Sequence, residues 1–171
     1  LLGQYRTLEY IFIGRGDFTD EGFAHLAHLD KLGTLHIEFG KGITDAGLPH
    51  LSGLESLFGL TLNGCSITGK GFENVRGVKS LTYLNLKNCP VSDEGLAAIA
   101  RLKRDNLGLE NTQVTNDGIK QLTKMNGLLR VNLIGTKVTA QGIAELKKAL
   151  PNCKVEWDGS EKPVSGDVER E

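Results

Sequence analysis

One short phrase recurs along this chain at a nearly constant interval, and that interval limits the fold more than composition does. It reads FTDEGF from Phe18, ITDAGL from Ile43, ITGKGF from Ile67, VSDEGL from Val91 (within CPVSDEGL), VTNDGI from Val114 and VTAQGI from Val138. Ten or eleven residues upstream of each lies a pattern of the type L-x-x-L-x-L: LEYIFI from Leu8, LGTLHI from Leu32, LFGLTL from Leu57, LTYLNL from Leu81, RDNLGL from Arg104 and LLRVNL from Leu128. The starts differ by 24, 25, 24, 23 and 24 residues, and a further step of 24 from Val131 reaches Val155 in KVEW. Fixed-period self-similarity of this length marks a stacked repeat array.

Each repeat changes its own period halfway. The first half, as in YLNLKN, alternates apolar and polar residues, the signature of a strand with one buried face. The second half spaces apolar residues three apart: Leu96, Ile99 and Leu102 in one repeat, Ile119, Leu122 and Met125 in the next. That spacing predicts a short helix with an inward stripe. No single repeat can bury its own apolar face, so stability must come from neighbours. The expected fold is α/β: a curved right-handed solenoid with parallel strands on the concave face and short helices on the convex face. Six repeats and a closing strand near 154–157 make one domain over residues 1–158, followed by a disordered tail over 159–171.

The combined pattern L-x-x-L-x-L-x-x-[CT]-x-[VI]-[TS]-D-x-G-L resembles the leucine-rich repeat superfamily. It is most similar to the ribonuclease-inhibitor-like and cysteine-containing subtypes, which also occur in F-box substrate adaptors and bacterial repeat proteins. The closing LPNCKVEWDG looks like the ending of planctomycete-type bacterial arrays. The resemblance implies a scaffold and is nearly silent about what the scaffold binds, because one fold serves unrelated partners.

CPVSDEGL gathers a thiol, a hydroxyl, two carboxylates and a glycine, which invites a reading as a metal or nucleophile site. Its counterparts in every other repeat favour structure instead. Thr19, Thr44, Thr68, Ser92, Thr115 and Thr139 stand where a hydroxyl caps a helix N-terminus. Asp20, Asp45 and Asp93 follow, where a carboxylate suits the helix dipole. The recurring glycines (Gly22, Gly47, Gly71, Gly95, Gly118, Gly142) are positions where lacking a β-carbon lets the helix lie close to its neighbour. Cys65 and Cys89 occupy the place of Thr112 and Thr136, an inward column of small residues in which free buried thiols are expected. His25, His28 and His50 fall near one another on the outer face, in a column that continues with Asn74, Ala98, Gln121 and Glu145. No carboxylate partner is fixed by spacing, and no nucleophile–base pair, phosphate loop or zinc-protease motif is present. No catalytic residue, metal or cofactor is expected.

Charge excludes little more than it must. The net charge is -1, from 20 basic and 21 acidic residues, which gives no reason to expect a nucleic-acid or anionic-membrane partner. No run of 18 apolar residues occurs, so no membrane-spanning helix is expected. The start lacks an initiator methionine and signal-peptide features, as expected of a fragment or a processed product. A monomer is the expected state.

Function should then lie where the repeats disagree, on the outward rows of the strands. The candidate binding residues are Tyr10, Phe12, His36, Phe39, Tyr83, Asn85, Lys87, Arg130 and Asn132, with the exposed aromatics as anchors for a protein or peptide. Two alternatives accompany this reading. Phe12 and Phe39 could pack under a preceding repeat, and the array could be a structural spacer in a larger protein whose activity lies elsewhere.

Overall fold

The computed structural model describes residues 6–102 and 104–159; the tail expected over 159–171 lies, apart from Gly159, outside them. Seven strands form one parallel sheet in sequence order: β1 (Tyr10–Ile13), β2 (Thr34–Glu38), β3 (Gly59–Asn63), β4 (Tyr83–Asn85), β5 (Asn106–Gly108), β6 (Arg130–Asn132) and β7 (Lys154–Glu156). Their register follows the repeat residue by residue. Ile11, Leu35, Leu60, Leu84, Leu107, Val131 and Val155 pair across the sheet. The first six of these are buried, and Val155 of the closing strand packs partly buried against the same core. At about 4.8 Å between strands the sheet runs roughly 30 Å.

The helical halves are less uniform than the spacing predicts. Four are α-helices: α1 (Asp20–Ala24), α2 (Asp93–Ile99), α3 (Asn116–Leu122) and α4 (Ala140–Ala149). The second and third repeats instead carry 3-10 turns, Leu48–Gly53 and Lys70–Asn74. Their sequences explain the correction. Gly47, Pro49 and Gly53 crowd the second repeat, while Gly69 and Gly77 (both at positive φ) and the β-branched Val75 and Val78 crowd the third. Weak helix formers leave one tight turn.

The hydroxyl column caps as expected in three repeats. Thr19 Oγ1 accepts from Gly22 N at 3.4 Å, Ser92 Oγ from Gly95 N at 3.1 Å and Thr115 Oγ1 from Asp117 N at 3.2 Å. Thr139 makes no such bond. Thr44 and Thr68 accept from Ala46 N and Lys70 N, two residues on, ahead of the 3-10 turns.

The acidic column, expected to serve its own helix, reaches across to the next repeat. Asp20 accepts from Thr44 N (2.8 Å) and Thr44 Oγ1 (2.6 Å). Asp93 does the same for Thr115 at 2.8 and 2.6 Å. Asn116 accepts from Thr139 N at 3.0 Å and donates to Thr139 Oγ1 at 2.9 Å. Asp45 accepts four bonds: from Thr68 N, Gly69 N and Gly71 N, each 3.1 Å, and from Thr68 Oγ1 at 2.5 Å. These side chains also explain the glycine column. A β-carbon at Gly47, Gly118 or Gly142 would fall on the clamping oxygen of Asp20, Asp93 or Asn116.

The ladder is interrupted once. Gly69, at φ 94, stands where the carboxylate would be, and Ser92 N donates instead to the Thr68 carbonyl at 3.1 Å. Here two backbones meet directly: a β-carbon at Gly95 would fall on that same carbonyl oxygen.

The inward column holds Cys65 and Cys89 as free, buried thiols. Cys89 Sγ donates to the Leu62 carbonyl of the preceding repeat at 2.8 Å, whereas the Thr112 and Thr136 hydroxyls donate within their own repeats, to Leu109 and Leu133 at 2.8 and 2.7 Å. Burial pushes the Cys65 thiol up to about 12 and that of Cys89 to about 11, and it raises Cys153 as well. The folded protein is therefore expected to react with a disulfide reagent at neutral pH only as fast as it opens. Absorbance should report the three thiols of the chain together on adding denaturant; a rapid stoichiometric burst without denaturant would contradict this packing. At the last turn, Trp157 Nε1 donates to the Val138 carbonyl at 3.1 Å, and its ring lies against the core.

Candidate interaction surface

Alternation along each strand sends one set of side chains into the core and the other onto the open sheet face. The observed register assembles the open set into rows. Tyr10, Thr34, Gly59, Tyr83, Asn106, Arg130 and Lys154 form one; Phe12, His36, Thr61, Asn85, Gly108, Asn132 and Glu156 form the next. Glu38 beside Asn63 begins a third at the strand ends.

The predicted residues fall into two groups on this face. Over β1 and β2, Tyr10 and Phe12 are more than half exposed, at 58% and 56%. The Phe12 and His36 rings sit 4.8 Å apart, tilted by 59°. His36 Nε2 donates to Glu38 Oε1 at 2.6 Å, and Asn63 Nδ2 donates to the same oxygen at 2.9 Å. The hydrogen bond from His36 is the main reason the Glu38 carboxyl titrates below the usual glutamate range.

Phe39 follows β2 and is 42% exposed, with the Arg15 guanidinium stacked 4.8 Å from its ring. Its backbone is left-handed, φ 58. The equivalent positions of later repeats share that conformation: Gly64, Asn88, Asn111, Gly135 and Gly159, with φ between 56 and 73. Glycine and asparagine tolerate it; a bulky aromatic does not. The turn is kept because it aims the amide at the next repeat: Phe39 N donates to the Asn63 carbonyl at 2.7 Å, and Asn88 N to that of Glu110 at 2.9 Å.

The second group lies over β4 to β7. Tyr83 (43% exposed), Asn106, Gly108, Arg130, Asn132 and Glu156 line a shallow concavity of about 170 Å³. Asn85 donates to Tyr83 Oη at 3.3 Å and accepts from Lys87 N at 3.0 Å, and Asn132 donates to Glu156 Oε2 at 3.0 Å. Tyr83 is not part of the first cluster: Thr34 and Gly59 stand between it and Tyr10, a gap of roughly 14 Å across three strand spacings. Lys87 is half-buried beyond Asn85 and Arg130 is exposed.

Sequence reading missed Glu156, although β7 repeats the Asn132 position one step of 24 later. It also underrated Arg15, which stacks on Phe39, and Glu38, which accepts from His36. On the opposite side, among the described residues, no three His, Cys, Asp or Glu side chains gather as a metal site needs.

A family model described as a leucine-rich repeat matches residues 79–100, the stretch that leads into β4 and runs through α2. Solved structures share the architecture over most of this chain. A leucine-rich-repeat protein of Leptospira interrogans is 24% identical, with a TM-score of 0.55 over 78% of this chain. Internalin C2 of Listeria monocytogenes is also 24% identical, with a TM-score of 0.55 over 79%. A chain of the LRIM1/APL1C complex is 19% identical, with a TM-score of 0.61 over 81%.

The fold is a leucine-rich-repeat solenoid.

This solenoid spans 33%, 55% and 26% of those three chains, respectively. No curated protein matches the sequence. Stacked repeats of this kind present an extended concave surface. No helix among the described residues is long and apolar enough to cross a membrane.

Proposed function

We propose that the repeat domain over residues 1–158 is a non-catalytic module that binds a protein or peptide on its concave sheet face. Tyr10, Phe12, His36 and Phe39 form the apolar anchor, and Tyr83, Asn85, Lys87, Arg130 and Asn132 supply the polar remainder. We read it as a monomer of the ribonuclease-inhibitor-like, cysteine-containing kind, with no nucleic-acid partner.

The observation that carries this reading is Phe39. A large aromatic occupies a left-handed position that asparagine or glycine fills in later repeats, and it is 42% exposed with the Arg15 guanidinium over its ring. Strain held at an exposed residue marks a position retained for something other than stability. A spacer would be served better by a uniformly polar face. Buried aromatic anchors within a polar surround dominate binding energy at protein interfaces.

Selection of a random peptide library on the purified protein tests the proposal. Enriched peptides should lose at least about tenfold in affinity with Phe12→Ala or Phe39→Asn, since an anchor is worth more than about 1.4 kcal/mol. They should be indifferent to Gln141→Ala on the exposed face of α4. Binders insensitive to every sheet-face substitution would sink it. Phe39→Asn should meanwhile leave the fold equally stable or firmer by up to about 1 kcal/mol, because asparagine suits the turn; urea unfolding reads this directly.

A further inference from the structure

In the shallow concavity over β4 to β7 the hydrogen-bond acceptors are engaged and the donors are not. Asn85 Oδ1 accepts from Lys87 N at 3.0 Å, and Asn132 Oδ1 accepts from Ile134 N at 3.0 Å. Glu156, the one acidic residue of the lining, accepts from Asn132 Nδ2 at 3.0 Å through one oxygen, and its other oxygen lies 3.3 Å from Lys154 Nζ. Tyr83 Oη accepts from Asn85 Nδ2 at 3.3 Å, which leaves its own proton to give. Asn106 and Arg130 are paired in the β5–β6 register, and neither side chain has a hydrogen-bond or ionic partner among the described residues. Arg130 and Lys154 stand side by side in one row, so positive charge exceeds the single Glu156 carboxylate.

The floor of the sheet face runs low from this concavity towards the aromatics. Gly108 belongs to that floor: a β-carbon there would fall on the Asn85 amide. Gly59 and Thr61 of β3, between the two groups, are both buried. From β6 to β2, which carries His36, is four strand spacings or roughly 19 Å, and to β1, which carries Phe12, roughly 24 Å. An extended chain advancing about 3.3 Å per residue crosses that distance in six or seven residues.

Resting on the peptide-binding reading above, we infer that the concavity receives a carboxylate of the bound peptide, six or seven residues from the segment packed on Phe12 and His36. A carboxylate only accepts, and it matches the guanidinium fork of Arg130 with two parallel bonds, with the Tyr83 hydroxyl and Asn106 amide as further donors. A cationic group would meet Arg130 as a like charge and find Glu156 already engaged. The C-terminus of the peptide and an acidic side chain share this chemistry. Either one fixes the direction in which the peptide crosses the sheet.

A random peptide library made twice, with free C-terminal carboxylates and as C-terminal amides, tests this on the purified protein. Peptides enriched on the parent should carry an aromatic or aliphatic residue six or seven positions from a carboxylate. Amidating that terminus, or exchanging the acidic side chain for its amide, should weaken binding about fivefold, as for a well-aligned but solvent-open ion pair. On Arg130→Gln, at an exposed position, the charged and amide versions should bind alike. Loss on amidation assigns the group to the terminus; loss on Asp→Asn or Glu→Gln exchange assigns it to a side chain. Peptides that weaken with Phe12→Ala but ignore the carboxylate, or keep their preference for it on Arg130→Gln, overturn this inference and leave peptide binding standing. A library that enriches nothing, or only binders indifferent to every sheet-face substitution, sinks both.

Discussion

Gly95→Ala is expected to destabilise the protein by about 3 kcal/mol, the upper end of overpacking costs, while Gly22→Ala, the same exchange at the same repeat position, does no harm. At Gly95 the added methyl would fall on the Thr68 carbonyl oxygen and close to the Gly69 α-carbon. Both obstacles are backbone, and the carbonyl already accepts from Ser92 N, so neither can step aside without parting two repeats. At Gly22 a methyl meets only the Phe18 ring, at 3.7 to 3.9 Å, which is ordinary contact. Alanine is also the better helix former by about 1 kcal/mol. Urea unfolding of the two variants should therefore move in opposite directions or leave Gly22→Ala unchanged. Equal midpoints would mean that the seam between the third and fourth repeats is looser than described.

Asp45→Ala is expected to cost nearly as much, about 2–4 kcal/mol, because four donors lose their acceptor at once and each net bond is worth about 1 kcal/mol. Three of those donors are backbone amides at the start of a 3-10 turn that has no side-chain cap of its own. Asp93→Ala removes a carboxylate with two donors and should cost about half as much. Asp45→Asn should fall between Asp45→Ala and the parent. Asparagine does this work naturally at Asn116, where one oxygen and one amide group serve Thr139, but the amide cannot also accept from Gly69 and Gly71. Chemical denaturation of the three variants gives the order; an Asp45→Ala variant no weaker than Asp93→Ala would contradict the count of donors.

The strand half of each repeat was legible, because period-two alternation leaves one register that turns the central strand residues Ile11, Leu35, Leu60, Leu84, Leu107 and Val131 inward. The rows read from LEYIFI to LLRVNL are the rows the sheet adopts. The helical half was legible only as an apolar spacing of three, which a 3-10 turn satisfies as well as an α-helix does. Nor does a Thr-Asp pair say whose amides the carboxylate will meet; that depends on how closely the next repeat approaches. The left-handed column was open to reading, since Gly64, Asn88, Asn111 and Gly135 recur at one position, and it would have flagged Phe39 as the exception. Arg104 was equally visible as a break in a leucine column.

The clamp between repeats has a consequence for how such an array can be recombined. Each bond runs one way, from an acidic or amide side chain in one repeat to the threonine of the next, so the units are polar, like couplings with a plug and a socket. Units meeting through Asp20–Thr44, Asp45–Thr68, Asp93–Thr115 or Asn116–Thr139 carry compatible fittings and should tolerate exchange. The third and fourth repeats do not: Gly69 offers no plug and Gly95 admits none. Grafts and deletions that keep this pair together should yield shorter or longer proteins that still stack. A cut between them should leave two halves that fit nothing but each other.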